Sequence, residues 1–369
     1  MRIRISPLTE DLLPAARAFN SRLGADAPFF LPDTTPSRPA ADRGASGISL
    51  THYVALDESE VRGGFLAMDQ PAWINGQPAR ATNYQSILSE GIRDKKYGLV
   101  SVHMLRHIEQ TTPYAFMVGM GGLENSLPRL LKGAGWTLRG VPFLFRVANV
   151  GNFLRQARAV RRNRYWEMAA RVAAMSGGGW IAIRILQGRP LAGLGRSPGL
   201  KIERVTNWGS WADEIWERYR DHCSFAVTRN RATLDQLYRF SESRLGVALV
   251  SKGSVPIGWS AWLDTPMADH TFFGNLRVAT ILDCLAAPEH AEAVALAVTR
   301  HIEDGGPDLL VTNQAHALWD RAFHRAGFLS TASNYILATS KQLSAAIREG
   351  GGERRVHLTR GDGDGRIHL

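Results

Sequence analysis

At 369 residues, with 44% hydrophobic and 21% charged residues, the chain has the composition of a folded globular protein of about two domains. No apolar run approaches the roughly 18 residues a membrane-spanning helix needs, and Glu10 and Asp11 interrupt the opening segment where a secretory leader would stay apolar, so a cytoplasmic location is expected. The formal charge of +10 and a pI near 10.0 make anionic partners plausible, whether a phosphorylated co-substrate, nucleic acid or an anionic membrane surface.

In chain order, RIRISPL reads as a first strand and TEDLLPAARAFNSRL as a helix, with Thr9 at its N-cap. Residues 24–48 are rich in Pro, Gly and small polar residues, and they carry Phe29, Phe30 and Leu31. A loop of that length suits a lid or a substrate wall. A meander of strands follows, with turns expected at Asp57–Ser59 and at Asn75-Gly76, a hairpin dipeptide.

The most informative stretch runs from Ala81 to Gln110: a strand, a turn Lys95-Lys96-Tyr97-Gly98-Leu99-Val100, and a helix. Such a turn directs backbone N–H groups at one spot at the positive end of the helix dipole, which suits a phosphate. Gly98 is expected to let the backbone approach a ligand, and Lys95 and Lys96 add charge. TPYAFMVGMGG then reads as a buried strand, LENSLPRLLKGAGW as a short helix closed by Gly135, and TLRGVPFLFRVAN as a final strand pair.

Residues 151–199 differ from both flanks. NFLRQARAVRRNRYWEMAARVAAM is a helical candidate carrying Arg155, Arg158, Arg161, Arg162, Arg164 and Arg171. It is either a solvated linker helix or, through Arg155–Arg171, a peripheral contact for an anionic membrane. From Leu200 to about residue 345 the element order of residues 1–150 starts again, and WDRAFHRAGF mirrors LPRLLKGAGW, so an internal duplication is expected. Cys223 and Cys284 read as two core thiols, not a disulfide framework or a zinc site. Residues 346–369 are glycine-rich and charged, and a disordered tail is expected there.

The layout as a whole is an α+β arrangement, each half a mixed, mostly antiparallel sheet flanked by helices. It resembles the GNAT (GCN5-related N-acetyltransferase) superfamily, present twice. The family turn Gln/Arg-x-x-Gly-x-Gly/Ala corresponds to Lys95-x-x-Gly98-x-Val100, which keeps the middle glycine and departs from the pattern at both ends. Ala81–Ser89 matches the family's fourth strand and Tyr114–Gly121 its fifth, while Asn125–Trp136 resembles the asparagine-to-Gly-Phe segment.

The resemblance implies that the splayed fourth and fifth strands hold the pantetheine arm of acetyl-CoA or another acyl-CoA, with no metal. The implied binding residues are Leu88, Ser89, Lys95, Lys96, Tyr97, Gly98, Leu99 and Val100. An amine attacking the thioester directly needs a proton acceptor, for which Glu90 is set against a plain solvent-facing strand end. The thiolate needs a donor. Leu131 stands where the family often has a tyrosine, which leaves Tyr97, Asn125, water, or a site without chemistry. Asn83 and Tyr84 must point to opposite faces of their strand. In the second half the matching turn, Ala286-Ala287-Pro288-Glu289-His290, has no glycine and carries an acid, so the co-substrate is assigned to the first half.

Three readings stay open: an acyltransferase acting on a small-molecule amine, amino sugar or amino acid; a FemX-like enzyme taking aminoacyl-tRNA; and a non-catalytic module binding a partner or membrane. Nucleic acid is not expected, because no surface combining aromatic and basic residues is evident. Oligomeric state is not legible.

Overall fold

The first half runs β1 (Ile3–Pro7), α1 (Leu13–Leu23), β2 (Ser49–Asp57), β3 (Glu60–Ile74), β4 (Gln77–Ser89), α2 (Val100–Thr111), β5 (Ala115–Gly119), α3 (Ser126–Gly133), β6 (Thr137–Gly140), β7 (Phe143–Val147) and α4 (Val150–Gln156). A computed structural model of the chain describes residues 2–25, 27, 29–35, 47–156, 185, 187, 199–331 and 333–363. The arginine segment expected to form a helix therefore lies outside the described residues, apart from Arg155 at the end of α4.

The second half follows as β8 (Leu200–Arg204), α5 (Ser210–Tyr219), β9 (Phe225–Val227), α6 (Arg231–Leu237), β10 (Leu245–Lys252), β11 (Val255–Pro266), β12 (Arg277–Ala286), α7 (Ala291–Asp304), β13 (Leu309–Asn313), α8 (Ala317–Arg325), β14 (Leu329–Thr331), β15 (Ile336–Thr339), α9 (Lys341–Glu349) and β16 (Val356–His357). The duplication shows in matching local detail. Helices α3 and α8 both end on a glycine in the left-handed region, Gly135 at φ 84° and Gly327 at φ 86°. In each, the next N–H reaches back five residues, Trp136 to the carbonyl of Leu131 and Phe328 to that of Phe323.

The first sheet has the order β1-β2-β3-β4-β5-β15-β6, and the second β14-β7-β13-β12-β11-β10-β8. The first half thus lends β7 to the second sheet, and the second half lends β9, β15 and β16 to the first, β9 pairing with β3 and β16 with β9. TLRGVPFLFRVAN does form two strands, but they do not pair as expected: β6 stays in the first sheet and β7 enters the second, between β13 and β14. The reason is local. A two-residue hairpin loop wants positive φ, which β-branched Val141 resists and Pro142 forbids, so the chain runs on from one sheet to the next. In exchange β15 lies between β5 and β6. On β7, buried Arg146 is held by Glu303 of α7 at 2.7 Å.

The side-chain alternation of the first sheet assigns its two faces. Phe65, Ala67 and Tyr84 pack under α2 with Met104 and Leu105, while Val54, Val61 and Leu88 pack under α1 with Phe19. The hairpin at Asn75-Gly76 has φ 48° and 76°, as that dipeptide predicts.

The tail expected to be disordered over 346–369 is corrected over 346–363; residues 364–369 lie outside the described residues. Residues 341–363 form α9, β16 and two short helical turns, and Val356, His357, Leu358, Thr359 and Asp362 are buried. Glycine and charge made this segment look unable to bury itself; it is instead buried by residues far away in the chain. Cys223 and Cys284 are both buried free thiols, and burial pushes the Cys223 thiol up to about 12.

Candidate functional site

Strands β4 and β5 run parallel but pair only at Thr82↔Ala115 and Asn83↔Phe116, after which they diverge as a fork. Where they part, β4 carries a bulge: Ser86 and Ile87 stand against Phe65 alone, and Ser86 has φ 48°. A bulge bends and twists its strand, and here it turns β4 away from β5 and re-aims the backbone at the fork. Beyond Asn83 the edge of β4 facing β5 has no strand partner among the described residues.

From β4 the chain passes through two short helical turns, Glu90–Ile92 and Lys95–Tyr97, into α2. Ile92, Lys95, Lys96, Gly98 and Leu99 are exposed, Leu99 at 62%. At the start of α2, Val102 N and His103 N both bond the carbonyl of Leu99, at 3.1 and 3.2 Å, so the N–H groups of Val100 and Ser101 precede the helix's own ladder. Gly98 is exposed, and its conformation is not one that requires glycine. It is right-handed, at φ −58°, and the close contact is internal: a Cβ on Gly91 would meet Gly98 Cα at 2.9 Å. The glycines let the two turns pack on each other.

The expected catalytic residues have other work. Glu90 is buried, and Arg22 and Arg62 bond its carboxylate at 2.9 and 3.0 Å. Burial alone would raise its pKa, but the two guanidiniums hold it below the usual carboxylate range. A carboxylate so satisfied is a poor proton acceptor and a good clamp between α1, β3 and the turn. Tyr97 is buried beneath Arg62, whose guanidinium lies 4.3 Å from the ring centroid. Asn125 is exposed, and its amide donates to the carbonyl of Met120 at 3.2 Å, tying down a loop in which Gly119, Met120, Gly121 and Gly122 all have positive φ. Among the binding residues, Leu88 packs under α1 and the Ser89 hydroxyl accepts from Gly91, so only their backbone is available. Leu131 is fully buried.

A set of polar side chains that sequence reasoning did not group lies on the sheet face opposite α2. Register places His52, Leu66 and Gln85 in one row across β2, β3 and β4, and Met68 and Asn83 in the next, with Gln70 beyond. Burial of His52 lowers its pKa, and its Nδ1 has no partner. Tyr84 points the other way, towards α2; its hydroxyl is buried without a partner, and burial raises its pKa. The alternating pattern of β2 to β4 could have grouped these residues, but only the register makes them neighbours.

The corresponding fork of the second half is filled. Strands β12 and β13 pair over Val278–Thr280 and Leu309–Val311, and Leu282 is the extra residue of the matching bulge. Residues 356–362 lie in the gap: Leu358 O accepts from Ala315 N at 3.0 Å, and Thr359 bridges Gln314. Arg229 bonds Asp283 and Asp362 at 2.6 Å each, with Tyr238 and His357 completing the shell of Asp283, all fully buried or nearly so. Burial opposes the charge on Arg229, but the two carboxylates outweigh it and keep the guanidinium protonated.

No protein-family model matches the chain, and no curated protein matches it. Among solved structures, a probable N-acyltransferase from Enterococcus faecalis V583, otherwise of unknown function, is similar over 94% of this chain and 74% of its own, at 12% identity and TM-score 0.51. A GCN5-related N-acetyltransferase from Anabaena variabilis covers 91% and 72%, at 12% identity and TM-score 0.49. A tandem GNAT protein from the clavulanic acid biosynthesis pathway covers 92% and 99%, at 12% identity and TM-score 0.44. At such identity the likeness to the Enterococcus protein is one of fold. It agrees with the topology above: two mixed, mostly antiparallel sheets flanked by helices.

Proposed function

We propose that the chain is an acyl-CoA-dependent N-acyltransferase whose co-substrate binds at the first fork. The observation that carries the reading is the continuous path from bulge to helix: β4 parts from β5 after Asn83, bulges at Ser86 and leads into an exposed turn bearing Lys95 and Lys96 at the start of α2. The unpaired edge of β4 suits an amide-bearing arm such as pantetheine, and the first N–H groups of α2 with the two lysines suit its phosphates. An acyl-CoA supplies an activated thioester carbonyl for attack by an amine.

The roles of the chain's own residues follow from the two faces of β4. A backbone N–H near the bulge polarises the carbonyl. His52, neutral at pH 7 with a free Nδ1, takes the proton of the attacking ammonium; it replaces Glu90 in that role. Tyr84, buried on the opposite face with its pKa raised, keeps its proton, and the departing thiolate takes one from water. The second fork, occupied by residues 356–362, has a structural role.

Thermal shift and calorimetry with acetyl-CoA test this. The wild type gains stability on titration, and Lys95→Glu with Gly98→Asp weakens binding by at least about tenfold through charge repulsion. Both sites are exposed and Gly98 is right-handed, so the unliganded melting temperature stays within a degree or two of wild type, by the usual size of surface effects. In the same preparation His52→Gln keeps the acetyl-CoA shift and loses turnover. Acetyl-CoA and longer acyl-CoAs that leave the wild-type melting temperature unmoved would sink the reading.

A further inference from the structure

Three arginines of this chain meet an acid along one edge of the guanidinium. Arg22 with Glu90, Arg146 with Glu303 and Arg277 with Asp264 each set Nε against one carboxylate oxygen and Nη2 against the other, at 2.5–3.3 Å. That edge carries two parallel N–H groups whose spacing matches a carboxylate. Arg360 belongs to residues 356–362, the strap that fills the second fork, and its edge is unpaired. Its Nη1 donates to Oδ1 of Asn313 at 2.8 Å, while Nε and Nη2 have no partner among the described residues.

The unpaired edge is held in place and is not sealed. Asn313, 1% exposed, is fixed by its own amide, which donates to the carbonyl of Pro142 at 3.0 Å and to Ser333 Oγ at 3.4 Å. Its oxygen therefore holds the guanidinium in one plane. Nε is buried, but Arg360 as a residue is only half-buried and Nη2 is not among the enclosed atoms. Ser333, half-buried, and Asn334, exposed, put the loop between β14 and β15 at the surface beside it.

No acid among the described residues answers this charge. Asp362, the nearest along the chain, is spent on Arg229 and on the N–H of Thr359. Burial pulls the pKa of Arg360 down to about 10, the direction expected of a cation taken out of water without a counterion. Two more arginines beside the strap have turned to backbone carbonyls, Arg139 to those of Glu353 and Ala315, and Arg355 to those of His222 and Asp221. One cationic edge suits a planar group of single charge. A phosphate dianion would want a second free cation.

We propose that Arg360, positioned by Asn313, binds the carboxylate of a small organic acid through Nε and Nη2, at a site between the strap and the end of β13. The bound carboxylate completes the charge of the strap and fastens it in the second fork. The site is separate from the turn at Lys95–Val100 and does not rest on the acyltransfer reading.

Thermal shift and calorimetry with acetate, lactate and succinate test this, with phosphate for comparison and sodium chloride holding the ionic strength constant. At least one carboxylate raises the wild-type melting temperature in a saturable way. Arg360→Lys keeps the charge but not the two parallel N–H groups, and weakens that carboxylate by at least about tenfold. Arg360→Met removes the response; should it not fold, Arg360→Lys decides alone. Phosphate bound more tightly than every carboxylate, an undiminished response in Arg360→Lys, or no carboxylate bound at millimolar concentration overturns the proposal. Asp364, outside the described residues, supplies the last control. If carboxylates bind only after Asp364→Asn, the edge belongs to the chain's own acid and the proposal fails.

Discussion

At the first fork β4 and β5 part after Asn83 and Phe116, and buried carboxamides beside them are left without partners. At the second, β12 and β13 part after Thr280 and Val311, and the chain's own residues 356–362 fill the gap and pair its charges. The backbone plan is shared, down to a bulge in β4 and in β12 and to glycine caps within 2° of each other in φ at Gly135 and Gly327. What differs is occupancy. Arg229 and Asp362 turn one fork into a buried ion-pair cluster, which supports a fold but offers nothing to a ligand. At the other fork the same segment only touches Asn83, whose amide donates to the carbonyl of Asp362, and no ion pair links β4 and β5 among the described residues.

The comparison breaks most visibly at Arg229. Arg229→Met strands Asp283 and Asp362 as unpaired buried carboxylates, and the expected loss is about 3–5 kcal/mol in urea unfolding. A loss under about 1 kcal/mol would mean that the strap is held by packing and not by this cluster.

Next comes pH. His316, at the N-terminus of α8 beside His357, has its pKa lowered to about 3, first by burial and then by neighbouring positive charge. Its folded pKa lies below the unfolded 6.5, so the unfolded chain takes up the proton first and stability is lost as pH falls below about 6.5. At pH 5 the loss through this one group is about 2 kcal/mol. His316→Asn keeps a side chain able to accept from Leu318 N, as the imidazole does at 3.1 Å, and flattens that part of the stability–pH curve. An unchanged slope would remove His316 from the account.

The smallest effect separates the twin glycines. Alanine at either forces a left-handed residue, at about 1 kcal/mol. At Gly135 the added methyl meets only the end of Lys341, which can move; at Gly327 it meets the guanidinium of Arg146, fixed by Glu303, and the carbonyl of Gln187. Gly327→Ala therefore costs about 1 kcal/mol more than Gly135→Ala in denaturant melts, as overpacking a fixed neighbour does. Equal losses would mean that Arg146 yields.

Parts of the site were legible without a structure and parts were not. The turn at Lys95–Val100 and the helix after it lie where the sequence places them, because a turn and a helix start depend on residues within a few positions. The ion pairs of Glu90 were not legible because its partners, Arg22 and Arg62, are 68 and 28 residues away. His52 and Gln70 carried no motif; they matter only through strand register, which brings them to one face with Gln85 and Asn83.

By itself the sequence determined what is local: the order of elements, the Asn75-Gly76 hairpin, the glycine caps and the repeat they reveal. Backbone conformation over four or five residues is governed by their own sterics and hydrogen bonds, so these features survive without context. The tertiary structure decided what is distant: the exchange of β7 for β9, β15 and β16, the burial of residues 356–362, and which fork holds the buried ion pairs. Each depends on one pairing across a long stretch of chain, as with Arg229 and Asp362, 133 residues apart, and the energy of a buried pair exists only once the surrounding chain has removed the water.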